Sequence, residues 1–144
     1  MNVVGAPEPI AAAIQALAAK GIQVSLFIDP DPEQVDAAAD LGVSMIELNT
    51  RAFSEVVPKS PDLAGAALER ELAKIVLASE RGRKKGLKIL AGHGLTYRNV
   101  RLISDIPEIE ELNIGHNIIA RASLVGMDRA VREMLQAMGR KICD

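Results

Sequence analysis

The chain holds only two histidines, and both stand in the same setting. His93 lies in "LAGHGLT" and His116 in "NIGHNIIA", each after an apolar run and each preceded by glycine. Parallel sheets place their ligands at the C-terminal ends of strands, where both corners fall. Glu47, in "SMIELN", adds a carboxylate between Ile46 and Leu48, and Asp29 and Asn49 are polar groups at comparable strand ends. Gly92 and Gly94 flank His93, where a missing side chain lets backbone approach a ligand closely. Gly115 leads into a short helix, whose free N–H groups and dipole favour an anion, with His116 as an added donor. A single histidine after a strand is ordinarily a loop or capping residue. Two Gly-His corners on consecutive strands shift that balance toward a shared site.

The elements that must position these groups follow from the pattern. Pro9 to Lys20 is alanine-rich and closed by Gly21, which predicts a helix. "IQVSLFI", Ile22 to Ile28, predicts a strand. Asp31-Pro32-Glu33 reads as an N-cap, a first-turn proline and a first-turn acid, with Gly42 ending that helix. "VSMIELN", Val43 to Asn49, is the second strand. Ser60-Pro61-Asp62 opens a long helix with Leu68, Leu72, Ile75, Val76 and Ser79 at helical spacing. "LKILA", Leu87 to Ala91, is the third strand, and a short helix starts at Thr96. Ile109 to Ile114 is the fourth strand, followed by helices at Gly115 to Ala122 and Asp128 to Met138. The fold class is therefore α/β, a helix and then four βα units, with a parallel sheet and right-handed crossovers.

Alternation along the strands separates two faces. Val24, Leu26 and Ile28 alternate with Ser25, Phe27 and Asp29; Ile46 and Leu48 alternate with Met45, Glu47 and Asn49; Leu112 and Ile114 alternate with Glu111, Asn113 and Gly115. One face is aliphatic and the other turns polar toward the C-terminal strand ends. An open sheet covered on both sides would be apolar throughout, so a barrel interior with a polar mouth fits better. A doubly wound sheet stays open on pattern alone. With only four strands, the face of Phe27, Met45 and Leu90 is expected to lack a covering layer within one copy.

Composition narrows the function. The 144 residues suit one domain, expected over residues 1–144. A formal net charge of -2 provides no strong field for nucleic acid or an anionic membrane. The basic run from Arg81 to Lys88 reads as a solvated helix end rather than a nucleic-acid contact. Met134 and Met138 read as core. The single Cys143 excludes a disulfide framework and is compatible with a reducing compartment. No apolar run reaches the roughly 18 residues of a membrane span, and no signal peptide is visible. A cytoplasmic protein with no nucleic-acid or membrane partner is expected.

"VSLFIDPDPEQVDAA", "IELNT", "AGHGLTYRNV" and "ELNIGHNIIARA" together resemble the C-terminal half of pyridoxine 5′-phosphate synthase. The resemblance runs from about Gly21 to Met138, and the order and spacing of the two Gly-His stretches are specific. It implies strands five to eight of a (β/α)8 barrel. It also implies condensation of 3-amino-2-oxopropyl phosphate with 1-deoxyxylulose 5-phosphate, with neither a redox cofactor nor a metal. By the same resemblance His93 is the proton donor at the amino ketone and Glu47 the transition-state stabilising carboxylate. Gly94, Gly115 and His116 match phosphate-contacting positions.

The resemblance also marks what is missing. The proton acceptors of the family, a histidine and a glutamate, belong to its first four strands. Leu90 stands where the family usually has asparagine, and Asn49 where a histidine is often found. Two readings follow: a segment of the synthase, or a non-catalytic phosphate-binding half-barrel or self-associating scaffold. Open sheet edges make a homo-oligomer the expected state in either case.

Overall fold

A computed structural model describes residues 2–57 and 65–140. The order is α1 (Pro7–Ala18), β1 (Ser25–Ile28), α2 (Pro32–Asp40), β2 (Met45–Asn49), α3 (Arg51–Val56), α4 (Ala66–Lys84), β3 (Lys88–Gly92), α5 (Val100–Ser104), β4 (Ile109–Asn113), α6 (His116–Val125) and α7 (Met127–Ala137). Asp31 caps α2 as its sequence demands, its Oδ1 accepting from the Glu33 N–H at 2.9 Å. Gly21 and Gly42, just past α1 and α2, take the left-handed backbone (φ +72° and +74°) that ends a helix at little steric cost.

One expectation falls outside the described residues, one changes and one element is added. The Ser60-Pro61-Asp62 opening lies outside the described residues, and α4 is entered through Gly65 as its N-cap. The helix expected at Thr96 begins at Val100; Thr96 instead starts a turn, its Oγ1 accepting from the Arg98 N–H at 3.2 Å. The added element is helix α3, six residues long, which follows β2 directly where the sequence pattern marked nothing.

The four strands form one sheet in the order β1-β2-β3-β4, every neighbour parallel. The order never reverses, as it would at the switch point of a doubly wound sheet. Side chains line up in rows across it. Ile28, Leu48, Ala91 and Leu112 make one row; Leu26, Ile46, Ile89 and Ile109 make another. Leu26, Ile28, Ile46, Leu48, Ile89 and Ala91 are all buried in the main core, with Val35 of α2, Phe53 of α3 and Ile75 of α4. Each large side chain there contributes about 1.5–3 kcal/mol by leaving water. The register shifts between Ile89 and Leu90, so Glu110 is an extra residue in β4 and Glu111 pairs with Leu90.

The opposite face carries the rows Ser25-Met45-Lys88, Phe27-Glu47-Leu90-Glu111 and Asn49-Gly92-Asn113. The expected apolar exposure there is corrected: Leu90 is only 5 % exposed, and Phe27 and Met45 are half-buried. Side chains in a row shield one another across neighbouring strands. The larger exposed apolar groups lie elsewhere, among them Ile119, Leu124 and Met127 on α6 and α7. The basic run is the solvated helix end expected from its sequence. Arg81 and Lys85 pair with Asp36, Arg83 with Glu110 and Lys88 with Glu111. Met134 is buried, and Met138 is half-buried.

Candidate active site

The β3 corner is built from behind by α3 and the turn that precedes α5. His93 adopts φ +78°, which a residue with a side chain rarely takes, and Gly94 follows at φ +80°. Such a backbone costs on the order of 1–3 kcal/mol for a non-glycine residue and persists only where its surroundings enforce it. Thr50 supplies one enforcement. Its N–H donates to the Gly92 carbonyl at 2.8 Å. Its hydroxyl lies within reach of that same carbonyl at 2.9 Å and of the His93 carbonyl at 2.6 Å. Asn99 supplies the other: its Oδ1 accepts from the Thr96 N–H at 2.6 Å while Nδ2 donates to the Gly94 carbonyl at 3.3 Å. Thr50 and Asn99 are both buried. Gly94 needs its missing side chain, because a Cβ there would stand 2.8 Å from Ser54 on α3.

The carboxylate is seated with equal care. Glu47 Oε2 accepts from Asn113 Nδ2 at 2.7 Å, a bond from β4 across β3 to β2. Between them lies Gly92, where a Cβ would overlap Glu47 Oε1 and sit 2.9 Å from the Asn113 carbonyl. The space at Gly92 is thus taken by Glu47, not left for a ligand as the sequence suggested, and the side-chain space at Gly94 is taken by Ser54.

The five residues to which the family resemblance gives roles, Glu47, His93, Gly94, Gly115 and His116, line one cleft of about 570 Å³. Phe27 also lines it, beside His93, ring centroids 6.2 Å apart and tilted by 40°. Both histidines are exposed and follow adjacent parallel strands on the same side of the sheet. Gly115 is the N-cap of the ten-residue helix α6, and its first turn, His116-Asn117-Ile118, carries no acid. A Cβ at Gly115 would meet nothing within 4 Å. Asn49 and Asp29 stand apart from this cleft. They hydrogen-bond each other at 2.9 Å and border a second opening with Arg51 and Lys74.

The side of the cleft formed by α6 is braced against α7. Arg121 donates to Glu133 at 2.7 and 3.1 Å, and Arg129 to the same carboxylate at 2.8 Å. Those guanidinium bonds, Arg121 first, hold the Glu133 carboxyl down at about 2. Tyr97, from the loop after β3, donates its hydroxyl to the Ala130 carbonyl at 3.0 Å, and burial pushes its pKa up. The two corners are therefore fixed to one another through α7.

Residues 1–140 match the family described as "Pyridoxal phosphate biosynthesis protein PdxJ". The chain belongs to this family. It is 48% identical over 141 residues to pyridoxine 5′-phosphate synthase of Synechococcus sp. (strain JA-2-3B'a(2-13)), covering 96% of this chain and 56% of that protein. It is 46% identical over 138 residues to the synthase of the same name from Aliivibrio fischeri, covering 96% of this chain and 54% of that protein. The chain spans about half the length of the curated relatives it matches. No helix among the described residues is long and apolar enough to cross a membrane.

Within this PdxJ-family chain, sequence reasoning missed the supporting residues Thr50, Asn99 and Asn113. Asn99 carried one weak signal, an Asn three residues after Thr96 just before an apolar turn. Thr50 and Asn113 bond to groups 42 to 66 residues away, which local pattern does not reveal.

Proposed function

We propose that this chain is the proton-donating, phosphate-binding half of a pyridoxine 5′-phosphate synthase, occupying strands five to eight of a (β/α)8 barrel as one domain. The observation that carries this is the single cleft shared by Glu47, His93, Gly94, Gly115 and His116. In this reading 3-amino-2-oxopropyl phosphate sets its phosphate at the N-terminus of α6, against the Gly115 and His116 backbone and the His116 ring. The helix dipole and the unpaired N–H groups favour the anion. The phosphate acts as a handle, and its binding energy orients the reacting carbons. His93 donates a proton at the amino ketone, and Glu47, fixed by Asn113, faces the developing positive charge. 1-Deoxyxylulose 5-phosphate is the second substrate. Neither a redox cofactor nor a metal enters the proposed scheme. The proton acceptors belong to the other half of the family's barrel.

The protein works in the cytoplasm, without nucleic-acid or membrane partners, and as a homo-oligomer that covers the edges at β1 and β4. Titration calorimetry of the chain with each phosphorylated substrate tests the site. Binding of the amino ketone phosphate that weakens at least tenfold in His116→Ala supports it. Equal binding by wild type and His116→Ala would remove His116 from the site.

A further inference from the structure

We infer that Thr50 and Asn99 are positioning residues of the site, together imposing the left-handed turn that directs His93 into the cleft. The inference rests on the reading of His93 as proton donor, but the geometry behind it stands separately. Two consecutive residues, His93 and Gly94, take φ near +80°, and only the second is glycine. The backbone of residues 92, 93, 94 and 96 is met by the polar groups of just two buried side chains. Among the described residues, buried polar or charged side chains are few: Thr50, Ser79 and Asn99. Ser79 bonds back to its own helix, at the Ile75 carbonyl. The other two both serve this corner.

Thr50 is the more telling of the pair. It is the N-cap of α3, where a threonine hydroxyl ordinarily accepts from the N–H groups of the first turn. Here it makes no such bond. Asn49 Oδ1 accepts from the Arg51 N–H instead, at 3.1 Å, and the Thr50 side chain is turned toward the β3 corner, where its hydroxyl can donate. A hydroxyl has one proton, so the 2.6 Å approach to His93 O and the 2.9 Å approach to Gly92 O share it; the Gly92 carbonyl also keeps the Thr50 N–H. The His93 carbonyl is therefore the group that depends on this hydroxyl. Thr50 thus gives up capping its own helix to hold the peptide that follows the histidine. Asn99 holds the next carbonyl, at Gly94, and its Nδ2 also lies 3.4 Å from Ser54 Oγ.

The test uses the whole chain with Thr50→Val, which keeps shape and removes the hydroxyl, and Thr50→Ser, which restores it. The backbone scalar coupling and the Cα and Cβ chemical shifts of His93 report its φ directly. The two histidines give two imidazole signals, so His116 is an internal control when inorganic phosphate is added. Wild type and Thr50→Ser are expected to show positive φ at His93. Thr50→Val is expected to lower the ratio of left-handed to other conformers at His93 about tenfold, as loss of a buried hydrogen bond would. The His93 ring should then stop responding to phosphate while His116 still responds. If Thr50→Val does not fold, Asn99→Asp, which keeps the acceptor for Thr96 and loses the donor to Gly94, is read by the same shifts at His93 and Gly94. A His93 whose coupling and chemical shifts are unchanged from wild type in a folded Thr50→Val chain, or in Asn99→Asp when that variant is the one read, overturns the inference. Loss of the turn in chains whose wild type binds no phosphate would uphold it and instead contradict the proposed site.

Discussion

Replacing Gly92 with alanine probes how the carboxylate of Glu47 is held. A Cβ at this position overlaps Glu47 Oε1 and stands 2.9 Å from the Asn113 carbonyl and 3.2 Å from Asn113 Cβ. Asn113 is strand backbone and yields little, so the carboxylate moves. Restoring van der Waals separation takes a shift of roughly 1 Å, which breaks the 2.7 Å bond from Asn113 Nδ2. Overpacking of this kind costs about 1–3 kcal/mol. The bond is partly solvated, so its own loss adds at the low end of about 1 kcal/mol. Alanine returns about 0.4–1 kcal/mol by restricting the unfolded chain. The expected net loss is about 1–2 kcal/mol, a drop in urea midpoint of roughly 0.5–1 M. Denaturation of wild type, Gly92→Ala, Glu47→Ala and the double variant measures it. Much of the Gly92→Ala penalty should vanish when Glu47 is already truncated. A Gly92→Ala chain as stable as wild type, with the Asn113 side-chain amide signals unmoved, would refute the reasoning.

Other outcomes follow from the same structure. Gly115→Leu should fold normally, since a Cβ there meets nothing within 4 Å, yet lose phosphate binding by calorimetry; unchanged affinity would count against the α6 site. Arg121 and Arg129 lower the Glu133 carboxyl from 4.5 to about 2, so its ionised form favours the folded state. That contribution is complete above pH 4.5 and disappears as pH falls through about 2. The gap in urea midpoint between wild type and Glu133→Gln should therefore close across that window, and a constant gap would contradict the pairing. Light scattering at micromolar concentration should find an oligomer, because β1 and β4 are open edges. A compact, cooperative monomer would count against it.

Much of the lining of the cleft was legible because it depends on strand alternation. Ile46 and Leu48 had to face helices, which left Glu47 and Asn49 facing the other way, and the register bears this out. Two Gly-His corners after consecutive parallel strands had to share one side of the sheet. Helix α3 was not legible. Its six residues are too few for a hydrophobic period, and Thr50 lacks the glutamate three positions on that would mark a capping box, because Phe53 stands there. That helix nevertheless brings Thr50 and Ser54 to the corner. The role of Gly92 was misread for a related reason. Glycine signals close approach, but only tertiary structure shows that the approaching group is Glu47, from another strand. Thr96 resembled an N-cap, and its hydroxyl was spent on a turn one step earlier. Exposure of Leu90 was overestimated because shielding between neighbours in a sheet row is not a property of any single strand.

The central claim is that this chain carries one half of the synthase chemistry. The most direct measurement incubates purified chain with 3-amino-2-oxopropyl phosphate and 1-deoxyxylulose 5-phosphate and follows pyridoxine 5′-phosphate, with and without the other four βα units added in trans. Each positioned acid or base is worth about 10²–10⁴ in rate, so the chain alone, lacking two acceptors, should show no useful turnover. Recovery on adding the other half, and its loss in His93→Ala, is the predicted result. Turnover by the chain alone within tenfold of a full-length relative, or a complemented rate indifferent to His93, would contradict it.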